Sequence, residues 1–219
     1  MGFLILLFAE IIVLFFLSRI VARLLLQMFS IRLIALVFLP GIVVHELAHL
    51  LVANLLLVKT GHIEFVPQIN KHGVKLGSVE IIKTDPIRRM MIGFAPVFVG
   101  IAMLFSILYA IIQKDVIAKN ITSQPLQVVF YIMAFYFLFV ISNTMFSSSK
   151  DMEGTAEVLL VVLGIAVALY AVGVRVDYSL LQGILVSQEG ILQKAVMLLS
   201  FPIVIDLGVW GITKVVSSK

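Results

Sequence analysis

The chain has 219 residues, of which 62% are hydrophobic and 13% are charged, and its net charge is +4. A soluble domain carries roughly 25% charged residues, so this composition excludes a water-soluble fold. The 16 basic residues are spread over several loops, which argues against nucleic acid as a partner. Cysteine is absent, so a metal could be bound by His, Asp or Glu but not by thiolates.

Six apolar segments are long enough to cross about 30 Å of hydrocarbon, which takes roughly 20 residues each. We therefore expect an all-α polytopic membrane protein with about six transmembrane helices, embedded in the lipid bilayer as a single domain over residues 1–219. The predicted spans cover residues 3–26, 31–58, 90–113, 125–146, 155–175 and 191–213.

A polar insertion, residues 59–89, separates the second and third predicted spans. Within it, His62–Val66 and Val74–Ile82 have the composition of short strands, and the turn-forming sequence Asn70-Lys71-His72-Gly73 lies between them. The pattern predicts a small β-hairpin at the membrane surface. Nine of the 16 basic residues fall on the hairpin side of a six-span arrangement, which favours a cytoplasmic hairpin and active site.

The second predicted span contains the sequence His45-Glu46-Leu47-Ala48-His49. Residues four apart lie on the same face of an α-helix, so both imidazoles can bind one tetrahedral zinc ion. Glu46 lies about 100° around the helix from His45, where it can act as general base. These groups are roughly 14 to 18 Å from the ends of the span, and ionisable residues at such depth usually mark a functional site.

A catalytic zinc ion needs a third protein ligand and an open position for water. His62 and His72 lie on the hairpin, where exposed surface histidines are expected. A carboxylate at the junction of the fourth and fifth spans is a better candidate because it can fold back beside a metal at membrane depth. Asp151, Glu153 and Glu157 are the alternatives in this region.

The sequence resembles the site-2 protease type of intramembrane zinc metalloprotease in four places between about residues 40 and 160. These are the His-Glu-x-x-His motif within a span, a polar sheet after it, a loosely matched Gly-Pro entry to the next span, and an Asn eight residues before an Asp. The corresponding segments are His45–His49, His62–Ile82, Gly93-Phe94-Ala95-Pro96, and Asn143 with Asp151.

By this resemblance, Asp151 would be the third zinc ligand and Asn143 would orient the substrate or the loop. The family pattern of Asn-x-x-Pro and Leu-Asp-Gly is replaced here by Asn-x-x-Phe and Lys-Asp-Met-Glu-Gly, which indicates a divergent or neighbouring branch. The family also implies regulated intramembrane proteolysis of transmembrane proteins.

The expected activity is zinc-dependent hydrolysis of peptide bonds in transmembrane or membrane-associated substrates, with Glu46 moving the proton. Two alternatives remain open: a protein that binds or transports a metal ion without catalysis, and an inactive protease-like scaffold. The other ionisable residues within predicted spans include Glu10 and Asp206, for which we expect an Arg partner or a position facing the helix bundle rather than catalysis.

Overall fold

The computed structural model describes residues 2–64, 68–70, 73–75, 77–82, 84–112, 124–146, 151, 155–173, 183 and 189–217. Within these residues it contains six α-helices, five of which are long and apolar enough to cross a membrane. The helices are α1 Gly2–Met28, α2 Ile31–Leu55, α3 Pro86–Ile112, α4 Gln124–Thr144, α5 Thr155–Ala171 and α6 Glu189–Ser217. The predicted all-α membrane fold is confirmed, and the helix bounds differ from the prediction by at most four residues at either end.

Helix α5 is the shortest of the six. Its 17 residues span about 26 Å at 1.5 Å per residue, which is less than the apolar core of a bilayer. Thr155 at its first position is buried, whereas apolar residues along the rest of the helix, such as Leu160 and Tyr170, are exposed. The composition thus identified α5 correctly as an apolar helix, but its length falls short of a full span.

The first turn of α3 explains why this helix begins at Pro86 and not at the predicted residue 90. Asp85 caps the helix, because its Oδ1 accepts a hydrogen bond of 3.0 Å from the backbone N–H of Arg88. That N–H also lowers the pKa of the Asp85 carboxyl. Pro86 fits the first helical position, where no partner for an N–H is needed.

The helices pack around an apolar core formed by residues from α1, α3, α4 and α6 and by Met145 directly after α4. Its buried members are Leu14, Leu104, Leu108, Leu138, Ile141, Met145 and Leu199. Helix α2 packs against α4 through a second cluster of Ile34, Phe38, Ile42 and Val140. In lipid, such helix contacts depend on close van der Waals packing. Gly41 allows α2 and α4 to approach each other closely, since a Cβ at this position would collide with Val140 and Thr144.

The polar insertion forms two short antiparallel sheets. Strand β1, Thr60–Glu64, pairs with β4, Ser78–Ile81, and between them β2, Gln68–Asn70, pairs with β3, Gly73–Lys75. The predicted hairpin is therefore confirmed, with Asn70 paired to Gly73. Lys71 and His72 of the predicted turn, and the end of the predicted first strand at Val66, lie outside the described residues. The predicted second strand, Val74–Ile82, is divided into β3 and β4. The insertion packs on α2 through β1 and β4.

Candidate metal site

His45 and His49 lie one turn apart on α2, and their rings are nearly perpendicular, with centroids 4.8 Å apart. Their Nε2 atoms are 3.2 Å apart. The side chain of His49 is almost completely buried and that of His45 is 13% exposed. Both imidazoles therefore point into the helix bundle, toward one common position, as the four-residue spacing predicts.

Each ring is oriented by a backbone carbonyl of another helix. The His45 Nδ1 lies 2.7 Å from the Thr144 carbonyl oxygen, and the His49 Nδ1 lies 2.8 Å from that of Ile92. A carbonyl oxygen only accepts, so both Nδ1 atoms carry a hydrogen, and each Nε2 of a neutral ring is then able to bind a metal ion. A histidine whose other ring nitrogen donates to a backbone carbonyl is the usual arrangement of a metal ligand.

Both carbonyls accept these hydrogen bonds because neither has an N–H partner in its own helix. Thr144 is the last residue of α4, where carbonyls have no intrahelical donor. Ile92 lies in the interior of α3, but the residue four positions later is Pro96, which has no N–H. The proline thus exposes the carbonyl that orients His49.

Asp151, which the spacing alone could not separate from Glu153 and Glu157 and which the resemblance implied, completes the group. Its Oδ1 is 3.5 Å from the His49 Nε2, and its Oδ2 is 3.7 Å from the His45 Nε2. Donor atoms around a tetrahedral zinc ion are about 3.3 to 3.6 Å apart, given bonds of about 2.0 to 2.2 Å. The three side chains, whose ligand atoms all lie within 4.8 Å of one another, therefore fit a metal ion.

Gly93 allows Asp151 to reach this position. The backbone carbonyl of Asp151 lies directly against Gly93 in α3, so a Cβ there would collide with it. The segment Gly93-Phe94-Ala95-Pro96, expected at the entry to a span, lies inside α3, and its first and last residues serve the site in different ways. Gly93 makes room for one ligand, and Pro96 frees the carbonyl that orients another.

Glu46, the predicted general base, is buried at 5% exposure on the same helix as the two histidines. The connection between β3 and β4 lies against it at Gly77. A Cβ at Gly77 would be 2.7 Å from the Glu46 Oε1 and 2.8 Å from a methyl carbon of Ile42. The sequence prediction missed Gly77, although a glycine inside a predicted strand is a sign of close backbone approach.

The structure separates the remaining candidates from this group. Asn143 is in the last turn of α4, where its Nδ2 donates hydrogen bonds to Asp206 of α6 and to the Phe139 carbonyl. Asp206 therefore faces the interior of the helix bundle, which was the expected alternative to an Arg partner. Glu10 lies half-buried on α1.

Neither Glu157 nor His62 belongs to the metal-binding group, and both side chains are exposed. Glu153 and His72 lie outside the described residues. Comparisons with protein-family models, with curated proteins and with solved structures found no match.

Proposed function

We propose that this protein is a membrane-embedded zinc endopeptidase that hydrolyses peptide bonds of transmembrane or membrane-associated proteins. The observation that carries the proposal is the convergence of the His45, His49 and Asp151 side chains within a bundle of apolar helices. Two imidazoles and a carboxylate form a ligand set of the catalytic zinc type, which leaves one position open. The resemblance to site-2 proteases supports the same reading.

Glu46 is the residue that moves protons in the proposed reaction. A zinc ion held by the three ligands would act as a Lewis acid toward the attacking water and the peptide carbonyl. Glu46 takes a proton from the attacking water and returns it to the leaving amine. Glu46 follows His45 directly on α2, and it is not one of the three candidate ligands.

The sheet formed by β1 and β4 supports a route for the substrate. A transmembrane helix satisfies its peptide groups internally, so it must unwind before a peptide bond can be attacked. An unwound segment can pair with the edge of a sheet as an added strand. Among the described residues, β4 pairs on one side only, with β1, and Gly77 directly before β4 lies against Glu46. A peptide added along β4 would thus pass near the carboxylate.

The test measures zinc content and the cleavage of single-span substrates by the full chain in detergent or liposomes. The variants are Glu46→Gln, Asp151→Ala, and two matched controls, Glu157→Gln and His62→Ala, which change exposed residues of the same kinds. We expect about one zinc ion and cleavage in the wild type and in both controls. Glu46→Gln should keep zinc without cleaving, and Asp151→Ala should lose zinc and activity.

Two results would contradict the proposal. Zinc binding with no cleavage of any substrate, and with Glu46→Gln indistinguishable from the wild type, would favour a metal-handling protein. Absence of both zinc and cleavage in the wild type would favour an inactive scaffold. The cytoplasmic position of the site stays a prediction, which labelling of single cysteines introduced at Glu80 and Leu126 from each side of the membrane would test.

A further inference from the structure

Asp206 is a fully buried carboxylate in α6 that the proposed reaction does not use. It lies four residues after Pro202, which is also fully buried, within the apolar span Gly190–Val215. An ionisable side chain inside a membrane span is costly to insert, and such residues usually have a functional partner. The contacts of Asp206 show what that partner is.

A short hydrogen bond ties Asp206 to the last turn of α4. The Asn143 Nδ2 donates to the Asp206 Oδ1 at 2.7 Å. The same nitrogen donates to the Phe139 carbonyl at 2.9 Å, one turn earlier on α4. The Asp206 Oδ2 has no hydrogen-bond partner among the described residues, so Asn143 is the partner that the structure identifies. The amide of Asn143 is thus held both by its own helix and by α6.

The residue after Asn143 orients a metal ligand. The carbonyl of Thr144 accepts the hydrogen bond of His45 Nδ1 at 2.7 Å. The Thr144 hydroxyl donates to the Val140 carbonyl at 2.8 Å, and Gly41 of α2 leaves room for this side chain. The position of the His45 ring therefore depends on how the last turn of α4 is held.

We propose that Asp206 is a positioning residue for the metal site, acting through Asn143 and the Thr144 carbonyl on His45. This inference rests on the metal site of the proposed function, but it adds a residue from a helix that contributes no ligand. Without Asp206, an N–H of Asn143 loses its acceptor at 2.7 Å and keeps only the weaker contact with the Ser142 hydroxyl at 3.4 Å, so we expect the last turn of α4 to shift. Loss of a direct partner of a ligating His typically lowers metal affinity 10- to 100-fold, and Asp206 acts on His45 only through α4, so we expect a smaller effect.

The experiment titrates the full chain in detergent with Co²⁺ alone and records the visible absorption spectrum and the dissociation constant. Asp206→Leu removes the acceptor, whereas Asp206→Asn keeps an acceptor oxygen at the same place. Thr213→Val is the matched control, because Thr213 is a buried polar residue of α6 that bonds only within its own helix among the described contacts. We expect affinity about 3- to 10-fold below wild type with an altered spectrum for Asp206→Leu, and wild-type behaviour for the other two.

A second variant removes the same hydrogen bond from its other partner. Asn143→Leu breaks the same hydrogen bond from α4 and should lower affinity as Asp206→Leu does, and the double variant should be no worse than either. Wild-type affinity and spectrum for Asp206→Leu would overturn this inference and leave the proposed function standing. Loss of affinity in Asp206→Asn equal to that in Asp206→Leu would overturn it too, because the acceptor oxygen is retained. A wild type that binds no Co²⁺ would overturn both this inference and the proposed function.

Discussion

Pro96 contributes to the candidate metal site because proline has no backbone N–H. Its missing N–H leaves the Ile92 carbonyl free to accept from His49 Nδ1 at 2.8 Å. In Pro96→Ala the new N–H can donate to Ile92 and compete with His49. We expect the zinc dissociation constant to rise by about 10-fold, the lower end of the effect of losing an orienting partner. Competition with a chromophoric chelator measures this constant.

The control for this prediction is Phe98→Ala. Phe98 is 70% exposed on the same helix, and its substitution alters no backbone donor. Helix α3 should be no less stable in Pro96→Ala, because alanine is compatible with a helix interior and proline is not. An unchanged dissociation constant in Pro96→Ala would show that the freed carbonyl does not limit metal binding.

The residues of the site differ in how far the sequence could predict them. The histidines and Glu46 follow from spacing on one helix, because neighbours along a helix are fixed by its geometry. Asp151 came from a choice among three carboxylates, which resemblance decided and spacing could not. The two orienting carbonyls were missed, since Thr144 lies 99 positions from His45 and Ile92 lies 43 from His49. Contacts of that separation depend on tertiary packing.

At the scale of elements, the helices were more predictable than the strands. A bilayer requires about 20 apolar residues per span, so composition alone places each helix to within a few residues. Strands have no such constraint, and the predicted strand Val74–Ile82 is divided into β3 and β4, with Gly77 before β4 lying against Glu46 and Ile42 on α2. The local sequence pattern does not predict this contact between the polar insertion and α2.

The proposed role of β4 in substrate binding gives a prediction for this element. Val79→Pro, Ile81→Pro or both would remove backbone N–H groups from β4, and an added peptide strand would lose hydrogen bonds if it pairs through them. We expect slower cleavage of a transmembrane substrate and unchanged zinc content, because no metal ligand lies on the strand. Cleavage assays and zinc analysis on the same preparations give both values.

Val79→Ala and Ile81→Ala are the matched controls, since they shorten the same side chains and keep the backbone donors. Val79 is buried opposite Ile63, so these controls also measure what the side chains contribute to the pairing of β1 and β4. Cleavage by the proline variants at the rate of their alanine controls would remove β4 from the proposed route.

At the scale of the whole molecule, the site connects parts that are far apart in the sequence. Its ligands come from α2 and from Asp151 just before α5, and its orienting carbonyls belong to α3 and α4. A ligand that binds only the folded state stabilises it by about 2.7 kcal/mol at 100 times its dissociation constant. Bound zinc should therefore hold these four elements together against unfolding.

The prediction is that a chelator lowers the thermal unfolding temperature of the purified protein by about 5 to 10 °C, given 2 to 4 °C per kcal/mol at this chain length. Glu46→Gln should respond as the wild type does, because Glu46 is not a ligand. His49→Ala should start from a lower unfolding temperature and show no further decrease, whereas His62→Ala should behave as the wild type. A decrease of equal size in His49→Ala would mean that the chelator acts elsewhere, and the three ligands would then not explain how metal stabilises the fold.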